Sequence, residues 1–316
     1  MSSYLRLGCF ALLLSLAGCS QKQHGVQAHL DDHYPDKLSE WQFFTGKARE
    51  LKPNEGVLSY EVNTSLFSNH AEKHRTVWMP KGVTGTYKSD AVFDLPVGTI
   101  LTKTFSFGAR RIETRLFIHK KNGWQGVTYV WNTDQIDATL DVTPAPVPVE
   151  WQGHQFDYEI PNVNQCKVCH EGPLDNGPLG ITAKNLNRGG QLTKWVSAGY
   201  LQGVPANPPA AGTSLEARAR DYLDVNCGTC HVVGGRGMKS GVILTANEHN
   251  PKNLGVCVKE VIVPGKPDQS KLVERMRSLD PKVMMPDLGH SIIDVDGIEL
   301  IRQWIASMST CQGLRT

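Results

Sequence analysis

Two pentapeptides, Cys166-Lys167-Val168-Cys169-His170 and Cys227-Gly228-Thr229-Cys230-His231, constrain this chain more than anything else in its 316 residues. In a C-x-x-C-H run the two thiols add across the vinyl groups of a haem, and the adjoining imidazole is held close enough to ligate the iron. Each run therefore predicts one covalently attached haem c, two in all. A single run could arise by chance, or be the redox pair of a thioredoxin-like protein with an unrelated His behind it. Paired C-x-x-C motifs also hold structural zinc. The zinc reading explains the two histidines less well.

The amino terminus predicts export. Arg6 precedes an apolar stretch from Cys9 to Leu16 that is too short to span a bilayer. The segment ends Leu16-Ala17-Gly18-Cys19. This resembles the bacterial lipobox, which implies that residues 1–18 are removed and Cys19 is acylated. The alternative is an ordinary signal peptide cut near the same place. Ser20 resembles the pattern of lipoproteins sent to the outer membrane, so the expected location is the periplasmic side of a bacterial membrane, held by a lipid anchor. No later stretch is long and apolar enough to cross a membrane.

Of eight cysteines, Cys9 leaves with the leader, Cys19 takes lipid and four take haem. Cys257 and Cys311 remain, and in an oxidising compartment a leftover pair is most simply a disulfide. Net charge is only +2, and Arg6 is lost with the leader. Without a basic, aromatic-interleaved patch there is no indication of nucleic acid as a partner.

Residues 19–51 read as a tether and lead-in segment, in which His24, His29 and His33 are solvated. Residues 52–160 have the texture of strands. Thr99–Phe105, Thr114–His119, Trp124–Trp131 and Ile136–Val142 are rich in β-branched and aromatic residues, and Asn122-Gly123 marks a turn. We expect a sandwich-like, mostly-β domain. Residues 161–212 carry the first motif and a Pro- and Gly-bearing linker with little regular structure signalled. At 213–316, Thr213-x-x-Glu216 forms a capping-box pattern opening a helix that runs into Cys227.

A helix delivering C-x-x-C-H resembles the start of a class I cytochrome c domain, which implies an all-α fold for 213–316 and an α+β multidomain chain. Within that resemblance, Met285 before Pro286 is implied as the sixth ligand of the second iron, with Met284 the alternative. Met276, Met308 and Trp304 share apolar stripes and read as core. A wider resemblance rests on Leu66-Phe67-Ser68, Ala71-Glu72-Lys73-His74-Arg75, Trp78-Met79-Pro80, Glu113-Thr114-Arg115-Leu116, Tyr129-Val130-Trp131-Asn132, Asn164-Gln165-Cys166 and Asn185-Leu186-Asn187-Arg188. These are similar to bacterial dihaem c-type cytochromes typified by a Shewanella protein, a family of uncharacterised physiology. Related segments occur attached to quinoprotein sugar dehydrogenase-like domains, which implies service as an electron acceptor.

No Met-Pro loop follows His170, so the sixth ligand of the first haem is sought in the β-domain. His74 is the weak candidate, beside His70, His154 and Met79. Arg75, Arg115 and Arg188 are candidates for neutralising haem propionates. The expected function is electron transfer between a periplasmic dehydrogenase and a respiratory partner, both redox proteins. The alternative is a peroxidase-like enzyme with an open first haem. A cell-surface binding β-domain is a third reading, which leaves both haems without a role.

Overall fold

The computed structural model describes residues 25–31, 33–170 and 177–311. The leader and the lipidation site Cys19 lie outside the described residues. Among the described residues, ten strands and six α-helices follow one another: β1 (Leu58–Tyr60), β2 (Glu72–Trp78), β3 (Gly85–Thr86), β4 (Ile100–Phe107), β5 (Arg110–Lys120), β6 (Gly123–Trp131), β7 (Ala138–Leu140), β8 (Val147–Trp151), β9 (His154–Tyr158), α1 (Val163–His170), α2 (Ala183–Leu186), α3 (Gln191–Ser197), β10 (Leu201–Gln202), α4 (Leu215–Leu223), α5 (Lys271–Met276) and α6 (Val295–Ser307).

One antiparallel sheet dominates, in the order β1-β2-β4-β5-β6-β7, while β3 with β10 and β8 with β9 form separate two-stranded pairs. The predicted strands lie here, and the turn before Gly123 closes the β5–β6 hairpin, where Lys120 pairs with Gly123. This corrects the expected sandwich, because helices and the amino-terminal segment cover the sheet instead of a second large sheet. On one face Ile100, Leu116, Ile118, Tyr129 and Trp131 pack under Leu38, Trp41 and Phe43. Trp41 Nε1 donates to Tyr129 Oη at 2.7 Å, and Tyr129 Oη donates to Pro35 O at 2.8 Å, which fixes that cover. On the other face Tyr60, Val77 and Leu101 meet Ile181, Leu186, Leu192 and Trp195. The segment 177–201, in which little regular structure was expected, therefore supplies helices that belong to the sheet.

The carboxy-terminal region corrects the fold expectation more deeply. It is not an all-α class I cytochrome c domain. Its α-helices are α4, α5 and α6, and α5 has only six residues. Between α4 and α5 the chain runs mainly through turns, with Gly234, Gly241, Gly255 and Gly265 all at positive φ. Helix cannot propagate through such a stretch, since each of those backbones leaves the right-handed region. A core nevertheless forms from Leu223, Leu244, Leu254, Ile262, Val273, Ile301, Trp304 and Ile305, with Met276 and Met308 in it. Cys257 and Cys311 are joined as a disulfide with Cα atoms 5.6 Å apart, tying this core to the chain's end.

Candidate cofactor sites

Helix α1 begins with a reciprocal cap: Gln165 N donates to Asn162 Oδ1 at 3.0 Å, and Asn162 N donates to Gln165 Oε1 at 2.9 Å. From this fixed start, positions 166, 169 and 170 share one helix face, because residues three and four apart stack along a helix. That face rests on β5 and β6. The His170 ring lies 4.4 Å from Phe117, and a Cβ built on Gly126 would sit 3.9 Å from Cys166 Cβ. Gly126 thus leaves room that any larger residue would fill. Beside it opens a cleft of about 440 Å³ lined by Tyr34, Phe117, Trp124, Gly126, Cys166 and His170 among others, within the size range of ligand pockets.

Helix α4 opens one residue later than the capping pattern suggested, with Ser214 Oγ accepting from Ala217 N at 3.1 Å. It continues as a π-helical turn over Asp224–Gly228, which carries Cys227. Asp224 Oδ1 accepts from Ala246 N at 2.8 Å and holds the following loop against that turn. Gly237 then crosses the imidazole of His231 so closely that a Cβ would stand 3.0 Å from its ring.

Both histidines share one arrangement. His170 Nδ1 is 3.1 Å from Gly177 O, and His231 Nδ1 is 3.2 Å from Val242 O. A carbonyl accepts only, so each Nδ1 carries the proton and each Nε2 keeps its lone pair. Metal-binding histidines are commonly fixed this way. Burial pushes the His170 imidazole down to about 4 and lowers His231 too, so both are neutral near pH 7.

The four motif thiols are free, while Cys257 and Cys311 are paired. Burial pushes Cys166, Cys169 and Cys230 up, and Cys227 to about 12. A thioredoxin-like pair needs the opposite, a thiolate favoured by its surroundings. Among the described residues no group of three or more His, Cys, Asp or Glu is arranged to hold a bare metal ion. The two motifs are neighbours: after burial, the largest influence raising the Cys169 thiol is Cys230. Direct bonds join the regions around them, with Phe67 N donating to Asn226 Oδ1 at 2.7 Å and Lys184 paired with Asp221.

Met285 lies on a partly buried loop, as does Met284. Met285 N donates to Arg275 O at 3.0 Å, and Asp287 pairs with Arg236 at 2.6 Å, which ties this loop to the one after His231.

The first motif's distal candidates fare differently. His74 pairs with Thr104, and Thr104 with Thr114, whereas Phe117 shares its side of the sheet with Arg115 and Lys103. Side chains alternate along a strand, so His74 stands on the face opposite His170 and cannot reach a group held there. Met79 is core, His70 stacks on Trp151 at 3.9 Å, and His154 is exposed. None of the four lines the cleft. Sequence reasoning missed His119, which stacks on Trp124 at 4.6 Å and has Nδ1 2.7 Å from Leu95 O. As a plain alternating strand residue it gave no signal.

No family model, curated protein or solved structure matches the chain.

Proposed function

We propose that the chain is an exported, lipid-anchored dihaem c-type protein that passes single electrons between a periplasmic dehydrogenase and a respiratory partner. The observation that carries this reading is the repeated constellation of two free thiols and an imidazole whose Nδ1 is fixed to a backbone carbonyl. Haem c would supply reversible one-electron chemistry. Cys166 and Cys169, and Cys227 and Cys230, hold the two groups, while His170 and His231 present Nε2. Met285 offers a soft thioether for the second site, on the loop that Arg236 and Asp287 hold near His231.

A peroxidase-like enzyme is the second reading, favoured by one observation: none of the four expected distal residues lines the first cleft. Optical and EPR spectra of the purified protein, with haem counted per chain and carbon monoxide added after reduction, separate the two. Two low-spin haems indifferent to carbon monoxide support the carrier, and one high-spin haem that binds it supports the enzyme. No covalent haem sinks both. Met285→Ala should abolish the near-infrared band of Met-ligated ferric haem and lower one potential only; a surviving band assigns the role to Met284 or another residue.

A further inference from the structure

The sheet face under α1 carries an excess of positive charge that the described residues leave unmatched. Arg75, Lys103 and Arg115 are direct cross-strand partners on β2, β4 and β5, with Lys73 one row away beside Phe105 and Glu113. Like charges placed directly opposite destabilise a sheet. Glu113, fully buried, is consumed by Arg115, whose Nε donates to it at 2.7 Å while Nη2 also pairs with it. Tyr158 Oη donates to the same carboxylate at 2.8 Å. Arg75 is buried and reaches Ser65 Oγ at 2.9 Å, but its nearest carboxylate, the exposed Glu61, is 3.6 Å away. Lys73 Nζ donates to Ala71 O at 3.2 Å. Lys103, partly buried, makes no hydrogen bond or ion pair to any described residue.

The row runs beside the first motif on the same sheet face, outside the residues that line its cleft. Phe117, two residues beyond Arg115 on the same face, touches His170, and Lys103 and Arg115 are among the charges acting on both His170 and Cys166. Burial and the neighbouring Arg75, Arg115 and Lys73 push Lys103 down to about 7. Arg188, one of the cations singled out by sequence, donates from Nη1 to Val62 O at 2.6 Å, and its charge adds to the positive field at Arg75.

The geometry points to a dicarboxylate site here: Lys103 and Arg75, flanked by Lys73, receive the propionates of the haem held by Cys166, Cys169 and His170, while the Arg115–Glu113 pair forms its fixed floor. This rests on the haem reading above. An anion placed there satisfies Lys103 and relieves the repulsion along the row, and charge-assisted bonds to a carboxylate are about twice as strong as neutral ones.

The test is a potentiometric titration of the holo-protein, followed optically and by EPR, with haem counted per chain. A cation beside a haem favours the reduced state, so Lys103→Met should lower the potential of one haem only. At fixed electrode potential its oxidised-to-reduced ratio should rise roughly tenfold, the scale of one charged hydrogen bond. Lys103→Arg should restore the wild-type value, and Lys73→Met should shift the same haem in the same direction. If Lys103→Met does not fold, Lys73→Met alone decides. Inorganic phosphate at constant ionic strength should leave the wild type unmoved. Two attached haems with unchanged potentials in the lysine variants overturn the site. A phosphate-dependent potential that Lys103→Met abolishes also overturns it, since the row would then take a free anion. An empty first motif overturns the haem reading itself.

Discussion

The two motif regions solve one problem with different materials. Around His231 the support is local: a capped helix, a π-helical turn and a glycine-bearing loop, packed on a continuous apolar core closed by Cys257–Cys311. Around His170 the capped helix and the Gly177 carbonyl are local, but the surface they rest on is borrowed from distant strands, on a sheet face that carries Lys103, Arg115 and Glu113. The same histidine geometry results in both. The second site should therefore depend on core packing, and the first on the balance of buried charge.

Arg115→Met is expected to have the largest effect, because it leaves the Glu113 carboxylate buried and without its cation. Such broken pairs cost roughly 4 kcal/mol. Chemical denaturation should show the loss, with the first motif's surroundings perturbed before the second's; equal perturbation of both would erase the distinction. Next comes Cys311→Ser, which opens a loop of sequence separation 54 and should cost roughly 3 kcal/mol. Its effect should fall on the surroundings of the second motif, and reductant should reproduce it in the wild type. Gly237→Ala follows, since its Cβ would press on His231, and overpacking of this kind costs about 1–3 kcal/mol. If the proposed haem is held there, the loss should come with a change in its spectrum alone; an unchanged spectrum shows that the loop yields.

Legibility followed the same division. The Cys257–Cys311 pair could be read from cysteine arithmetic, and the core role of Met276, Met308 and Trp304 and the strands of β4, β5 and β6 from spacing or alternation within a few residues. The all-α expectation failed because a helix that runs into C-x-x-C-H fixes only its own turn; the glycine-bearing chain beyond it takes turns instead. The sandwich failed because alternation shows that a strand has a buried face, not what buries it. His74 looked promising as a residue type, yet strand register decided its side of the sheet. Lys103 carried no signal at all, as its neighbours Arg75 and Arg115 meet it only through pairing.

The smallest expected effect concerns the seam between the regions. Ser291 N donates to Asn69 Oδ1 at 2.8 Å and Ser291 Oγ to Asp157 O at 2.8 Å, while the adjacent His290 has Nδ1 buried without a hydrogen-bond partner. Burial holds His290 below the ordinary imidazole value, against the opposing pull of the Leu288 backbone and Asp294. His74, on the far face of the sheet, is lowered chiefly by burial as well. The unfolded chain therefore binds more protons than the folded one in the window just below the ordinary imidazole value of about 6.5. Stability is retained above that window and is lost as pH falls through it. In the loaded protein, iron-bound His170 and His231 would not titrate there, which leaves the imidazole share of the slope to His74 and His290, beside the contribution of the Lys103 amine near pH 7. Unfolding free energy measured from pH 7 to pH 5 should decline in the wild type, and His290→Gln should flatten part of the decline. His74→Gln should remove a separate part, additively, because the two lie on different elements and share no partner. A slope untouched by both variants would overturn the assignment of the acid sensitivity to these two histidines.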